Sequence, residues 1–347
     1  MKRFWLLAVC VLVGASLVRV DGQLSWAAAK YTIKVANAGP NNPDNRTVMA
    51  VDMFKRMVES QTKGDIEVRA YHASSLGNER EALEGVKIGT IEMATLSSGP
   101  VPGFFAPVMV FSIPYLFSSA PLAWEVFNGP FGRDFSEAMR KQTGVRILSI
   151  TENGFRNFTS NAKPLRKPED LKGLKLRTME NPAHMAMVKA FGADPTPIAF
   201  GELYMALQQK VVDGQETPVV LIHDMKFYEV QKYAILDGHV YDPLFVFAND
   251  KFFSSLPLSY QNIVADNAKL LATAHNGFSQ RQNILGIEAL RQKGMDVYVP
   301  SLDELEAFKK ISQPPALKFV EEKAGKDWVA KVLKAVADAE QNIRIKR

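Results

Sequence analysis

The regular alternation of strand-like and helix-like runs in the first hundred residues constrains this chain more than any other feature. Residues 33–36 read as a strand. Residues 47–60 read as a helix with Val48, Val51, Phe54 and Val58 on its apolar side. Lys63-Gly64-Asp65 is a turn, and residues 66–71 alternate like a strand. Residues 79–88 form a second helix closed by Gly89, and residues 91–96 form a third strand. This β-α-β-α-β order predicts an α/β fold with a largely parallel sheet and helices on both faces. Ligands on such sheets bind at the carboxyl ends of strands, which makes Ser97-Ser98-Gly99-Pro100 a candidate ligand loop.

A second α/β stretch begins near Val145. Residues 145–150 are strand-like, and residues 171–177 turn into a strand that ends on Arg177. Residues 184–191 and 200–210 read as helices, and residues 211–214 as a short strand and turn. Residues 259–290 carry a long helical pattern without proline, which suits an element spanning two lobes. A last helix, residues 316–337, is expected to enter from Pro314-Pro315 and to break at Gly325. The chain contains neither an internal repeat nor a low-complexity segment.

The N-terminus reads as an export signal. Lys2 and Arg3 precede an apolar run from Phe4 to Val13, and Ala27-Ala28-Ala29 offers the small residues of a cleavage site. Cleavage is expected after Ala29, and the apolar run falls short of the about 20 residues that a membrane span needs. Leu7-Ala8-Val9-Cys10 makes a poor lipoprotein box, because Val9 is bulky where a small residue belongs. Cys10 is the single cysteine, so the mature chain would have no disulfide, thiolate ligand or thiol nucleophile. Losing Lys2, Arg3, Arg19 and Asp21 lowers the net charge from +5 to +3. That mild charge lacks a basic block, which argues against nucleic acid as a partner. The remaining 318 of 347 residues exceed one core, so two lobes are expected.

Catalytic signatures are missing. His72, His184, His223, His239 and His275 show no metal-ligand spacing, and the chain has no G-x-S-x-G, P-loop or G-x-G-x-x-G motif. Neither a metal nor a cofactor is expected. The informative residues are arginines: Arg156 in Asn153-Gly154-Phe155-Arg156-Asn157-Phe158, and Arg177 after a strand-like run. A guanidinium offers a rigid fork of donors that matches a carboxylate, and a buried one calls for an anionic partner. On the residues alone, that partner is either a ligand or an internal acid such as Glu180 or Asp213.

Two motifs sharpen this reading: Pro168-Glu169-Asp170-Leu171-Lys172-Gly173-Leu174-Lys175-Leu176-Arg177, and the run from Ala199 to Pro218 containing Val211-Val212-Asp213-Gly214-Gln215-Glu216-Thr217. Together with Leu76-Gly77-Asn78-Glu79-Arg80-Glu81 and residues 227–233, they resemble the DctP-type solute receptors of tripartite ATP-independent periplasmic (TRAP) transporters. The resemblance runs from about Tyr31 to the C-terminus. It implies a two-lobed, class II-like periplasmic binding protein with a long helix across both lobes. Lobe one would be residues 31–153 plus 243–282, and lobe two residues 154–242 plus 283–347. It further implies that Arg177 clamps a ligand carboxylate, with Arg156 assisting and Thr217 standing where the family more often has Asn. Phe200 would pack on the ligand, Ser97 would approach from the other lobe, and Glu79 would reach ligand hydroxyls or amines.

Thr217 has one hydroxyl where Asn has both an amide donor and an acceptor. Glu180 and Asn181, just past Arg177, would add polar groups to the pocket, and an acid there disfavours a second ligand anion. The expected ligand is therefore a hydroxy-, keto- or amino-substituted monocarboxylate such as a sugar acid. It would be captured by a monomer in the periplasm and handed to the integral membrane subunits of a TRAP transporter, without chemistry. The competing readings are a C4-dicarboxylate receptor, the binding lobe of a sensor or ABC-type importer, and a periplasmic enzyme.

Overall fold

Short polar side chains set where the elements begin. The structure, a computed structural model, describes residues 28–345, so the signal-peptide reading and Cys10 lie outside the described residues. Strand β1 (Tyr31–Asn37) leads to α1 (Arg46–Gln61), whose first turn is capped by Asn45 accepting from the N–H groups of Thr47 and Val48. After β2 (Ile66–Tyr71), α2 (Glu79–Ile88) opens on a reciprocal box of Asn78 and Glu81 and closes on Gly89 at φ 84°. Then come β3 (Met93–Ser97), α3 (Ala120–Asn128), α4 (Pro130–Thr143) and the 16-residue β4 (Val145–Ser160).

The second half contributes β5 (Lys175–Thr178), α5 (Pro182–Ala190), β6 (Asp194–Pro197), α6 (Leu203–Gln208), β7 (Gly214–Pro218) and α7 (Val219–Asp224). The 17-residue β8 (Tyr233–Asn249) follows, then α8 (Asp250–Ser255), α9 (Leu258–Gln292), β9 (Asp296–Tyr298), α10 (Leu302–Ala324) and α11 (Lys326–Ile345). Among the described residues no helix is long and apolar enough to cross a membrane.

The strands form one nine-stranded sheet in the order β2-β1-β3-β8-β4-β7-β5-β6, with β9 beside β8. Parallel pairing holds within β2-β1-β3, within β7-β5-β6 and between β8 and β9, but β8 and β4 run antiparallel to each other and to β3 and β7 through the middle. The expectation of a largely parallel sheet is thus met in each block and overturned at the centre. The cause is visible in β8. Its Asp237, Gly238, Asp242 and Pro243 read as strand breakers, yet irregularities in the β4–β8 register absorb them, including one between Glu152 and Gly154. Both strands are mostly buried on both faces, so they lack the alternation that marks a half-buried strand.

The fold therefore has two lobes, one built on β2-β1-β3 and the other on β7-β5-β6, with β4 and β8 continuous through both. Each lobe has its own core. Phe54, Val58 and Leu271 belong to one cluster of the first lobe, and Phe111, Phe135 and Phe245 to another. In the second lobe, Phe158, Met187 and Phe308 form one cluster and Leu203, Ile222 and Leu290 the other. Helix α9 packs on α1 and β4 and then on α7, so the long helix spans both lobes as expected.

Two further expectations needed correction. The last helical region does not begin at Pro314-Pro315. A box of Ser301 and Glu304 starts α10 thirteen residues before Pro314, and both prolines lie inside it. Each removes a helical donor, but Phe308, Ser312, Ala316 and Val320 are buried along the same face and hold the helix together. Gly325 does end α10, at φ 95°. Residues 200–210 are not one helix either: Phe200–Glu202 make a 3-10 turn before the short α6, and the strand expected at 211–214 starts only at Gly214.

Candidate functional site: an arginine-lined cleft between the lobes

A narrow cleft of about 50 Å³ lies where the lobes face each other. Of the residues singled out by sequence, Arg177, Arg156, Thr217, Phe200, Ser97 and Glu79 all line it. Arg177 is the next-to-last residue of β5, in register with Thr196 of β6 and Gln215 of β7. Its side chain is 2% exposed. Nε donates to the Ile198 carbonyl at 2.9 Å, which fixes the plane of the fork, while the buried Nη1 has no partner among the described residues. Arg177 forms no ion pair among the described residues; Glu216, Glu79 and Glu180 act on its charge only at longer range, and Asp213 instead accepts the Lys175 N–H. Burial, and then the charge of Arg156, lower Arg177 from 12.5 to about 10.

Arg156, on β4, has the opposite environment. Its fork binds Glu216, and Nη1 reaches Asp242 at 3.1 Å. Glu216 also faces His239 at 3.3 Å and His184 at 3.5 Å, and His239 bonds Asp237 at 2.9 Å. Burial works against the Glu216 charge, but Arg156 and the two histidines outweigh it and hold its carboxyl well below the usual range. Burial likewise opposes a charge on His239, yet Asp237 and Glu216 raise it to about 9. Arg156 is thus the anchored member of the pair and Arg177 the unsatisfied one. Thr217, next to Glu216 on β7, pairs with Asn157 and turns toward the cleft.

From the first lobe, Glu79 stands at the start of α2 and accepts from the Ser97 N–H at 2.8 Å and the Ser97 hydroxyl at 2.9 Å. Burial raises its carboxyl despite those bonds. The Ser97 hydroxyl also meets the Met179 sulfur of the second lobe at 3.6 Å. A Cβ on Gly99 would stand 3.0 Å from that sulfur, so the loop packs closely on Met179. Asn45 spans the lobes as well, donating to Asp224 at 2.9 Å. Phe200 is partly buried over Phe227, with ring centroids 6.3 Å apart.

Two sequence-predicted residues do not line this cleft itself. Asn181 spends both ends of its amide on the fold: Oδ1 caps α5 at the Ala183 N–H and Nδ2 donates to Ser112 at 3.0 Å. Glu180 is exposed and borders a small side opening that Arg177, Glu79 and Phe200 also line. Sequence reasoning missed Asn37, Thr95 and Arg46, all of which line the cleft. Arg46 had a legible signal, since it directly follows the cap of α1 and places a cation at the positive end of that helix. Among the described residues no cluster of His, Cys, Asp and Glu could hold a metal ion.

A two-lobed α/β chain with a donor-rich interlobe cleft and an unpaired buried arginine defines a solute-binding receptor of the periplasmic type. The family profile described as bacterial extracellular solute-binding protein, family 7 (DctP), matches residues 38–323, and the chain belongs to that family, the solute receptors of TRAP transporters. A solute-binding protein of Verminephrobacter eiseniae is 38% identical over 78% of this chain and 80% of its own length. The sugar acid binding protein of Advenella mimigardefordensis, solved with galactonate, superposes with a TM-score of 0.85 at 29% identity, covering 90% of this chain and all of that one. A TRAP periplasmic solute-binding protein of Polaromonas, bound to D-erythronate, gives 0.82 at 33% identity over 87% of this chain and 98% of that one.

Proposed function

We propose that this receptor captures a hydroxy-, keto- or amino-substituted monocarboxylate of the sugar-acid class and delivers it to the membrane subunits of a TRAP transporter. The observation that carries the reading is Arg177, a buried guanidinium with an unpartnered Nη1, aimed into a cleft and tied to no carboxylate. A ligand carboxylate supplies the missing partner through two parallel hydrogen bonds. Arg156 holds the Glu216 network behind that site, beside Thr217, and Phe200 covers one side of it. Glu79, with its carboxyl raised by burial, faces ligand hydroxyls or amines and disfavours a second anion. Relatives solved with galactonate and D-erythronate support the same class.

The protein performs no reaction in this reading and acts as a monomer, exported by the signal in residues 1–29. The lobes exchange at residues 153–154 and 242–243, where the β4–β8 register shifts. In this reading lobe two takes residues 154–242 and 283–347, with its last helix α11 packed against α10, α3 and α4.

A thermal-shift screen of residues 30–347 against organic acids tests the ligand class. A ligand confined to the folded state adds about 2.7 kcal/mol at a hundredfold excess over Kd. Sugar acids are expected to raise the melting temperature. Succinate outbinding every hydroxy-monocarboxylate would overturn the reading in favour of a C4-dicarboxylate receptor.

A further inference from the structure

Arg46 sits where three separate effects oppose it. It is the first residue of α1, where the helix dipole disfavours a cation. It is 2% exposed, so its charge has lost bulk water. It has no ion pair among the described residues: Nη1 donates to Ser279 and Nη2 to Asn153, each at 2.9 Å, and Nε is buried without a partner. A residue placed against all three is held there for a purpose other than the stability of the empty protein.

Its surroundings indicate the purpose. Arg46 lines the same cleft as Arg177, but from the other lobe. Two more buried polar atoms without partners among the described residues, Asn37 Oδ1 and Thr95 Oγ1, belong to residues lining that cleft from the first lobe. Together they offer a donor, an acceptor and a hydroxyl that serves as either. That mixture matches hydroxyl groups, each of which gives one hydrogen bond and takes another. It does not match a second carboxylate, which only accepts. Asp242, Glu152 and Asp224 also lie near enough to balance the Arg46 charge at longer range, so a second ligand anion is not required.

We propose that Arg46 is a specificity-determining residue that reads the hydroxylated end of the ligand distant from the carboxylate, so that the receptor selects acids by the length of their polyol chain. This rests on the sugar-acid reading and deepens it: Arg177 would fix the carboxylate and Arg46 the far oxygens.

The test is competition calorimetry with a chain-length series, D-glycerate, D-erythronate and galactonate, plus the diacid galactarate. Wild type, Arg46→Gln and Arg46→Lys are compared, and the melting temperature of each empty variant checks folding. Arg46→Lys keeps the charge but loses Nε–H and the fork. In wild type, affinity is expected to rise with chain length. Both variants should lose about tenfold or more for galactonate, the scale of one charged hydrogen bond, and less than about twofold for glycerate. Equal losses across the series would make Arg46 a residue of cleft closure and overturn the proposal, as would no loss for any acid. Galactarate binding wild type more tightly than galactonate would identify a second anion site instead. If wild type binds none of these acids, the sugar-acid reading itself falls and this inference with it.

Discussion

Replacing Arg177 with methionine separates binding from folding, because the two effects have opposite origins. In the loaded receptor the fork would make two charge-assisted bonds to a carboxylate, each worth about 1.5–3 kcal/mol. Losing both removes roughly 3–6 kcal/mol, and at about 1.4 kcal/mol per decade Kd rises between about a hundredfold and ten-thousandfold. The empty protein should respond differently. Methionine leaves the Ile198 carbonyl without its donor, at a cost of about 1–3 kcal/mol. The substitution also removes a desolvated charge whose Nη1 has no partner and which Arg156 repels. These effects oppose each other, so the stability of empty Arg177→Met is expected within about 1 kcal/mol of wild type. Calorimetric titration measures the first quantity and denaturant unfolding of ligand-free protein the second. If Arg177→Met keeps wild-type affinity for every acid that binds, or if the empty variant loses several kcal/mol, Arg177 is a structural residue and the clamp is refuted.

Two more predictions rest on the interior. His239 is raised from 6.5 to about 9, so its bound proton stabilises the fold fully below pH 6.5 and that contribution is lost as pH rises through 9. The loss is on the order of 3 kcal/mol, and His239→Gln should flatten the stability profile between pH 6 and 9.5 in denaturant melts; an unchanged slope would show that another group titrates there. Gly214→Ala should destabilise by about 3 kcal/mol, because a Cβ at 214 would stand 2.0 Å from the Thr159 carbonyl oxygen across the β4–β7 ladder. A melting temperature equal to wild type would disprove that clash.

Local chemistry made much of this molecule legible in the sequence. The apolar spacing in residues 47–60, the stop at Gly89 and the proline-free run of α9 specify their elements because helix and turn signals act over a few residues. The same holds for Arg177, since a strand run ending on an arginine within a family motif marks a position whatever surrounds it. The long β4 and β8 were hidden because burial on both faces erases alternation, and because Gly238 and Pro243 are tolerated only by the register shifts that a partner strand provides. α3 and α4 went unread as well, although their apolar faces pack into the first lobe's core.

The sequence by itself determined the family, the two α/β blocks and the arginines. Tertiary structure decided which arginine is free. Arg156 and Arg177 are alike as residues, and only the approach of Glu216 and Asp242 through β7 and β8 satisfies one and leaves the other open to the cleft. It also turned Asn181 into a helix cap, moved Glu180 to the rim and brought Arg46 into the cleft. Charge pairing depends on distances of a few ångströms between residues 60 or more positions apart, and one-dimensional spacing does not encode them.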